Sequence, residues 1–135
     1  MTESTNPFDV VHAVYAALNA GDVPALFALT DPEVDIYQSE ELPYGGHHHG
    51  YDGMKVFLEG VRTALDSQIE IGELYRAGDK VVQIGRTRGT ARATGVSFDA
   101  AEVQVWGVRD GRIVSLTVFT DTDALGAALN TGPAS

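Results

Sequence analysis

Apolar residues recur at helical spacing through the first half of the chain and at alternate positions through the second, so helices are expected early and strands late. Phe8, Val11, Tyr15 and Leu18 mark one face of a helix that Asn6 can cap, with Pro7 at its first position and Asp9 in its first turn. Gly21 supplies the stop. Asp22 can cap a second short helix that tolerates Pro24 in its first turn and carries Leu26, Phe27 and Leu29. Glu33–Gln38 has a short extended pattern, and the Pro-, Gly- and His-rich segment from Ser39 to His49 reads as a long loop. A third helix is expected from about Asp52, because Met54, Phe57, Leu58, Val61 and Leu65 fall on one face.

Four strand segments follow, at about Ile69–Arg76, Lys80–Thr90, Val96–Val108 and Arg112–Thr120. Ala77-Gly78-Asp79 joins the first two. Asp110-Gly111 joins the last two and is a pair favoured in two-residue hairpins, so antiparallel pairing is expected. A short helix over Thr122–Leu129, capped by Asp121, would precede a flexible tail from Asn130 to Ser135. There is no internal repeat or linker.

Length and charge narrow the partners. A chain of 135 residues fits one domain, 1–135, with an ordered core over about 8–129. Nineteen acids against nine bases give a formal charge of −10, which repels phosphate backbones and anionic bilayers, so neither nucleic acid nor membrane is an expected partner. The absence of cysteine excludes disulfides, thiolate catalysis and zinc–cysteine sites. Met1–Asn6 is polar, with neither the basic region nor the apolar run of a signal peptide, and a cytoplasmic location is expected.

Ala20-Gly21-Asp22, Leu42-Pro43-Tyr44-Gly45-Gly46 with Gly50, Gly78-Asp79-Lys80-Val81-Val82, and Val108 to Val114 running on to Asp121-Thr122 occur in an order and spacing that resemble the NTF2-like superfamily. The resemblance is to its SnoaL-like branch, with the polyketide cyclases and ketosteroid isomerase-like proteins, and covers about Phe8–Leu129. It implies an α+β cone: a curved antiparallel sheet wrapped around the long third helix, two N-terminal helices, a cone-shaped apolar cavity and a homodimer formed through the sheet. Isomerases, cyclases, epoxide hydrolases, dehydratases and non-catalytic binders share this fold, so it does not identify a reaction.

Along the third meander strand Phe98, Ala100, Glu102, Gln104 and Trp106 share one face, and Val103 and Val105 the other. Alternation leaves open which face is interior. The resemblance implies that Gln104 faces the cavity, where cyclases carry a His and isomerases a protonated Asp, and Glu102 and Trp106 follow it. A carboxylate in an apolar cone has a raised pKa, which makes Glu102 the candidate acid or base. The alternative is a buried glutamate satisfied by Gln104 or a nearby tyrosine.

The chain departs from the characterised enzymes at several positions. The isomerase base falls at Gln38 or Tyr37, the acid on the last strand of cyclases and epoxide hydrolases falls at Val118, and no Arg-x-Asp pair surrounds Glu102. Gln38 and Gln104 would therefore orient a ligand by hydrogen bonding and Trp106 would form an apolar wall, with Tyr15, Tyr37, Tyr44 and Val118 as further ligand-binding candidates. Tyr44 is placed at the cavity rim, or else as a loop aromatic packed on the surface. His47 and His49 could place two imidazoles on one metal, but no nearby acid or cysteine completes a ligand set, and neither a metal nor another cofactor is expected. Arg86, Arg88 and Arg92 invite an anion site, although Arg86 and Arg88 share a strand face of the solvated or dimer-facing kind. The resulting expectation is a cofactor-independent acid–base enzyme of isomerase, cyclase, lyase or hydrolase type, acting on a compact apolar or amphipathic molecule. The alternatives are a non-catalytic ligand-binding protein and a dimeric interaction module with a vestigial pocket.

Overall fold

Side-chain caps set the ends of the first two helices in the computed structural model, which describes residues 6–130. Asn6 Oδ1 accepts from the Phe8 amide at 2.9 Å, starting α1 (Pro7–Ala20), and Gly21 closes it at a φ of 69°. Asp22 Oδ1 accepts from the Ala25 amide at 3.2 Å and starts α2 (Val23–Ala28). The chain continues as β1 (Thr30–Gln38), β2 (Gly46–His49), α3 (Gly50–Ala64), β3 (Leu65–Ala77), β4 (Lys80–Ala91), β5 (Ser97–Arg109), β6 (Arg112–Thr120) and α4 (Thr122–Asn130).

The six strands form one sheet in the order β2-β1-β6-β5-β4-β3. β3 to β6 are an antiparallel meander, and the β5–β6 hairpin turns at Asp110 and Gly111, whose φ values of 53° and 76° are those a two-residue turn requires. β1 runs parallel to β6, so the sheet is mixed rather than antiparallel throughout. Irregularities between Glu70 and Glu73 and between Gly107 and Val108 bend the long strands, and the sheet curves over α1 and α3. Val11, Val14 and Tyr15 of α1 and Met54 and Phe57 of α3 are buried with Val81, Trp106 and Leu116 of the sheet. Asp121 Oδ1 accepts from the Ala124 amide at 3.1 Å, and α4 buries Leu125 and Ala128 in the same core.

Several local expectations are corrected. His47–His49 form an edge strand instead of loop, pairing with Asp35–Tyr37 of β1. Their pattern carried no apolar alternation because β2 buries little. α3 begins at Gly50, and Leu65, expected on its apolar face, is the first residue of β3. β1 begins at Thr30 rather than Glu33, and Asn130 is the last residue of α4 rather than tail. The expectations for Met1–Thr5 and for the tail beyond Asn130 lie outside the described residues. Among those described, no helix is long and apolar enough to cross a membrane.

Candidate functional site

Cross-strand register assembles the wall of the site. Gln38, Val118, Gln104 and Gln83 lie in one row across four strands, Ile36, Leu116, Trp106 and Val81 in the next, and Thr120, Glu102 and Gly85 in a third. Directly paired residues share a face, so these rows form the concave side of the sheet. A cavity of about 390 Å³ lies between that side and the helices. Its inner part is mostly apolar, with Val14, Met54, Phe57, Trp106 and Leu116, and its mouth carries the exposed residues Asn19, Arg62, Asp66, Gln68 and Arg92.

Glu102 is 6% exposed and lines this cavity. Thr120 Oγ1 donates to its Oε2 at 3.0 Å, and Gln38 Nε2 donates to Thr120 Oγ1 at 3.0 Å. The Thr120 hydroxyl has one proton, and Gln38 occupies its acceptor side, so that proton is directed at the carboxylate. Oε1 of Glu102 has no hydrogen-bond partner among the described residues. Burial pushes the pKa up from 4.5 to about 7, and the bond from Thr120 works against that rise. The partner is thus Thr120, not Gln104 or a tyrosine. A proton on Glu102 belongs on Oε1, since Oε2 is already an acceptor.

Gln104 is fixed from behind. Trp106 Nε1 donates to the Tyr15 hydroxyl at 2.8 Å, and that hydroxyl donates to Gln104 Oε1. The chain of donors determines the amide orientation and leaves Gln104 Nε2 as a donor with no partner among the described residues. The Tyr15 and Trp106 rings also meet edge to face, with centroids 5.5 Å apart. Beside them, fully buried Gln83 accepts through Oε1 from the Gly72 amide at 3.3 Å, satisfying the irregular part of β3. It lies over Gly85, where an added Cβ would stand 2.1 Å from Gln83 Oε1.

The structure brings Glu102, Gln104, Gln38, Trp106, Tyr44 and Val118 to the cavity wall. Tyr15 does not line the cavity; it is packed behind Gln104 and Trp106 and acts on the wall through them. Tyr37 is a second correction: it neighbours Gln38 in β1, so it points to the convex face, where it is 43% exposed. Tyr44 is buried inside the wall against Phe57, not at the rim or on the outer surface. Thr120 was missed. Counting back from the Arg109–Arg112 pair at the hairpin places Phe119 opposite Glu102, but the irregularity at Gly107–Val108 shifts the register by one and brings Thr120 there.

The histidine strand has acids beside it, contrary to expectation. His47 Nε2 and His49 Nδ1 lie 2.9 and 2.8 Å from Asp35 Oδ1, and His49 Nε2 lies 3.0 Å from Glu33 Oε2. Hydrogen bonding to Asp35 and then to Glu33 raises the pKa of His49, and its bond to Asp35 lowers that of the acid. Among the described residues, no group of three or more His, Cys, Asp or Glu is arranged to hold a metal ion. Arg86 pairs with Asp99 at 2.5 Å, and Arg88 pairs with Glu70 at 2.7 Å and with Asp99 at 3.1 Å, all on the exposed outer surface.

The SnoaL-like domain family matches residues 11–116. Among solved structures, the chain is similar to an NTF2-like protein from Burkholderia thailandensis E264, with 30% identity over 95% of this chain and 99% of that one and a TM-score of 0.86. It is similar to TerC, crystallised with polyporic acid, with 25% identity over 93% of this chain and 98% of that one and a TM-score of 0.83. IdmH from Streptomyces antibioticus, a candidate polyketide cyclase, is 25% identical over 93% of this chain and 99% of its own, with a TM-score of 0.76. No curated protein matches.

Proposed function

This chain belongs to the SnoaL-like domain family, and from that premise we propose that it binds a compact, largely apolar small molecule in its cavity and performs cofactor-independent acid–base chemistry on it through Glu102. The observation that carries the reading is a carboxyl group in an apolar cavity, with one oxygen unpaired and a pKa of about 7. Such a group exchanges a proton near neutral pH with little driving force in either direction.

In this reading Glu102 takes a proton from substrate carbon or oxygen at Oε1 and returns it at a second position. Gln104 Nε2, two residues along the same strand face, donates to the oxygen on which negative charge develops. Thr120 and Gln38 hold the carboxylate in place, and Trp106, Tyr44 and Val118 provide the apolar contact. The chemistry is of the isomerase or cyclase kind, which the likeness to IdmH supports. An open cavity favours a ligand site over a vestigial pocket. The convex face of the sheet exposes Tyr37, Tyr75, Ile84 and Phe119, and this apolar surface supports a homodimer formed there.

The test is a thermal-shift screen of oxygenated aromatic ketones, quinones and phenols, followed by product analysis for each compound that binds. Turnover by the wild type that is lost in Glu102→Gln, with affinity kept within a few-fold, is the expected result. Turnover at an undiminished rate in the variant would overturn the assignment. Binding without turnover in either protein would make this a binding protein.

A further inference from the structure

The mouth of the cavity differs chemically from its interior. Of the nine lysines and arginines, only Arg62 and Arg92 line it. Arg62 stands in the last turns of α3 and Arg92 just past the end of β4, and the two are tied together. The Arg92 amide donates to the Ala64 carbonyl at 2.9 Å, and Arg92 Nε donates to the Arg62 carbonyl at 2.6 Å. This fixes the Arg92 side chain across the end of α3, where its terminal nitrogens have no further partner among the described residues. Neither guanidinium has an ion-pair partner among the described residues, whereas Arg86 and Arg88 are engaged by Asp99 and Glu70. Among the described residues Asp66 also lines this mouth and Glu59 shares a neighbouring surface depression with both arginines, so Arg62 and Arg92 are the cations an anion would meet there in a chain that carries −10 overall.

The second pole is Glu102, with its unpaired Oε1. Gly85, its partner in β4, lies seven positions before Arg92. At ~3.3 Å per residue this sets an upper limit of roughly 23 Å along the strand, and the cavity of about 390 Å³ has room for a molecule of two or three rings.

We propose that the ligand is an amphipathic organic acid of two or three rings, its carboxylate or other anionic group held at the mouth by Arg62 and Arg92 and a hydroxyl or enol at its far end paired with Glu102. The inference rests on the reading of the cavity as a ligand site and adds the anionic pole. An anion facing two guanidinium groups forms charge-assisted bonds, while a neutral analogue of the same shape leaves them to water.

Calorimetry with 4′-hydroxybiphenyl-4-carboxylate and the matching carboxamide, at pH 7 and low salt, tests it. The acid should bind at least ten-fold more tightly than the amide, and the preference should shrink at high salt. Arg62→Gln, which removes no hydrogen bond of the folded protein, should reduce the preference several-fold, and Arg62→Gln with Arg92→Gln should abolish it. Glu102→Gln should weaken both compounds alike and keep their ratio. Equal affinity of acid and amide for the wild type would overturn the anionic pole while leaving the role of Glu102 intact. A preference that survives the double arginine variant would also overturn it, Arg92 then serving only to cap α3. Failure of both compounds to bind would overturn the proposed ligand together with the reading it rests on.

Discussion

The stability change on replacing Glu102 with glutamine should be more favourable at pH 8 than at pH 5. The carboxyl group has a pKa of about 7 in the folded chain and 4.5 as an ordinary glutamate. Below 4.5 both states hold the proton, and the site adds no pH-dependent contribution. Between 4.5 and 7 the folded state binds the proton more strongly than the unfolded state, so stability falls as pH rises. Above 7 both states are ionised and the whole cost is present, about 3 kcal/mol. Evaluated at the two pH values, this cost is about 1 kcal/mol at pH 5 and about 3 kcal/mol at pH 8, a difference of about 2 kcal/mol. Glutamine keeps the shape and can still accept from Thr120, while its amide nitrogen replaces Oε1 and is left unpaired. That penalty, on the order of 1–3 kcal/mol, is the same at both pH values and cancels in the comparison. Other titrating groups cancel as well, because both proteins carry them. Urea unfolding of wild type and variant at pH 5 and pH 8 reads the quantity directly. A stability change that is equal at the two pH values would refute the claim that burial holds this carboxyl group near neutrality.

Further outcomes follow from the same geometry. Thr120→Val removes the hydrogen bond that holds the Glu102 pKa down, so the titration of Glu102, followed by the pH dependence of ligand binding, should move to higher pH; an unmoved midpoint would contradict the contact. Tyr15→Phe leaves Gln104 Oε1 and Trp106 Nε1 without their partner and should cost about 1–3 kcal/mol in urea unfolding, with ligand affinity falling through loss of the Gln104 orientation. Phe119 is 57% exposed on the convex face, in one cross-strand row with Val103 and Ile84, so Phe119→Asp should convert the proposed dimer to a monomer in light scattering at tens of micromolar; a wild-type protein that is already monomeric there would dismiss the dimer.

What could be read from the sequence follows from how local each signal is. The Asp110-Gly111 turn, the Asn6 and Asp22 caps and the alternation of β5 are short-range patterns, and each reappears in the structure. Alternation also groups Glu102, Gln104 and Trp106, but it does not say which face is interior; curvature over α1 and α3 decides that. Tyr37 and Gln38 are neighbours in one strand and cannot both face the cavity, a constraint already present in the sequence. Thr120 was not legible, because one irregular step near Gly107 exchanges it with Phe119 across the sheet. The parallel pairing of β1 with β6 joins segments far apart in the chain and has no turn to announce it. The histidine strand buries too little for its pattern to record its pairing.

Carbon-13 NMR of the side-chain carboxyl groups, titrated from pH 3 to pH 9 with Glu102→Gln to assign the resonance, tests the central claim most directly. The account predicts one glutamate resonance with a midpoint of about 7 that is missing from the variant. Titration of every glutamate near 4.5, the Glu102 resonance included, would contradict it.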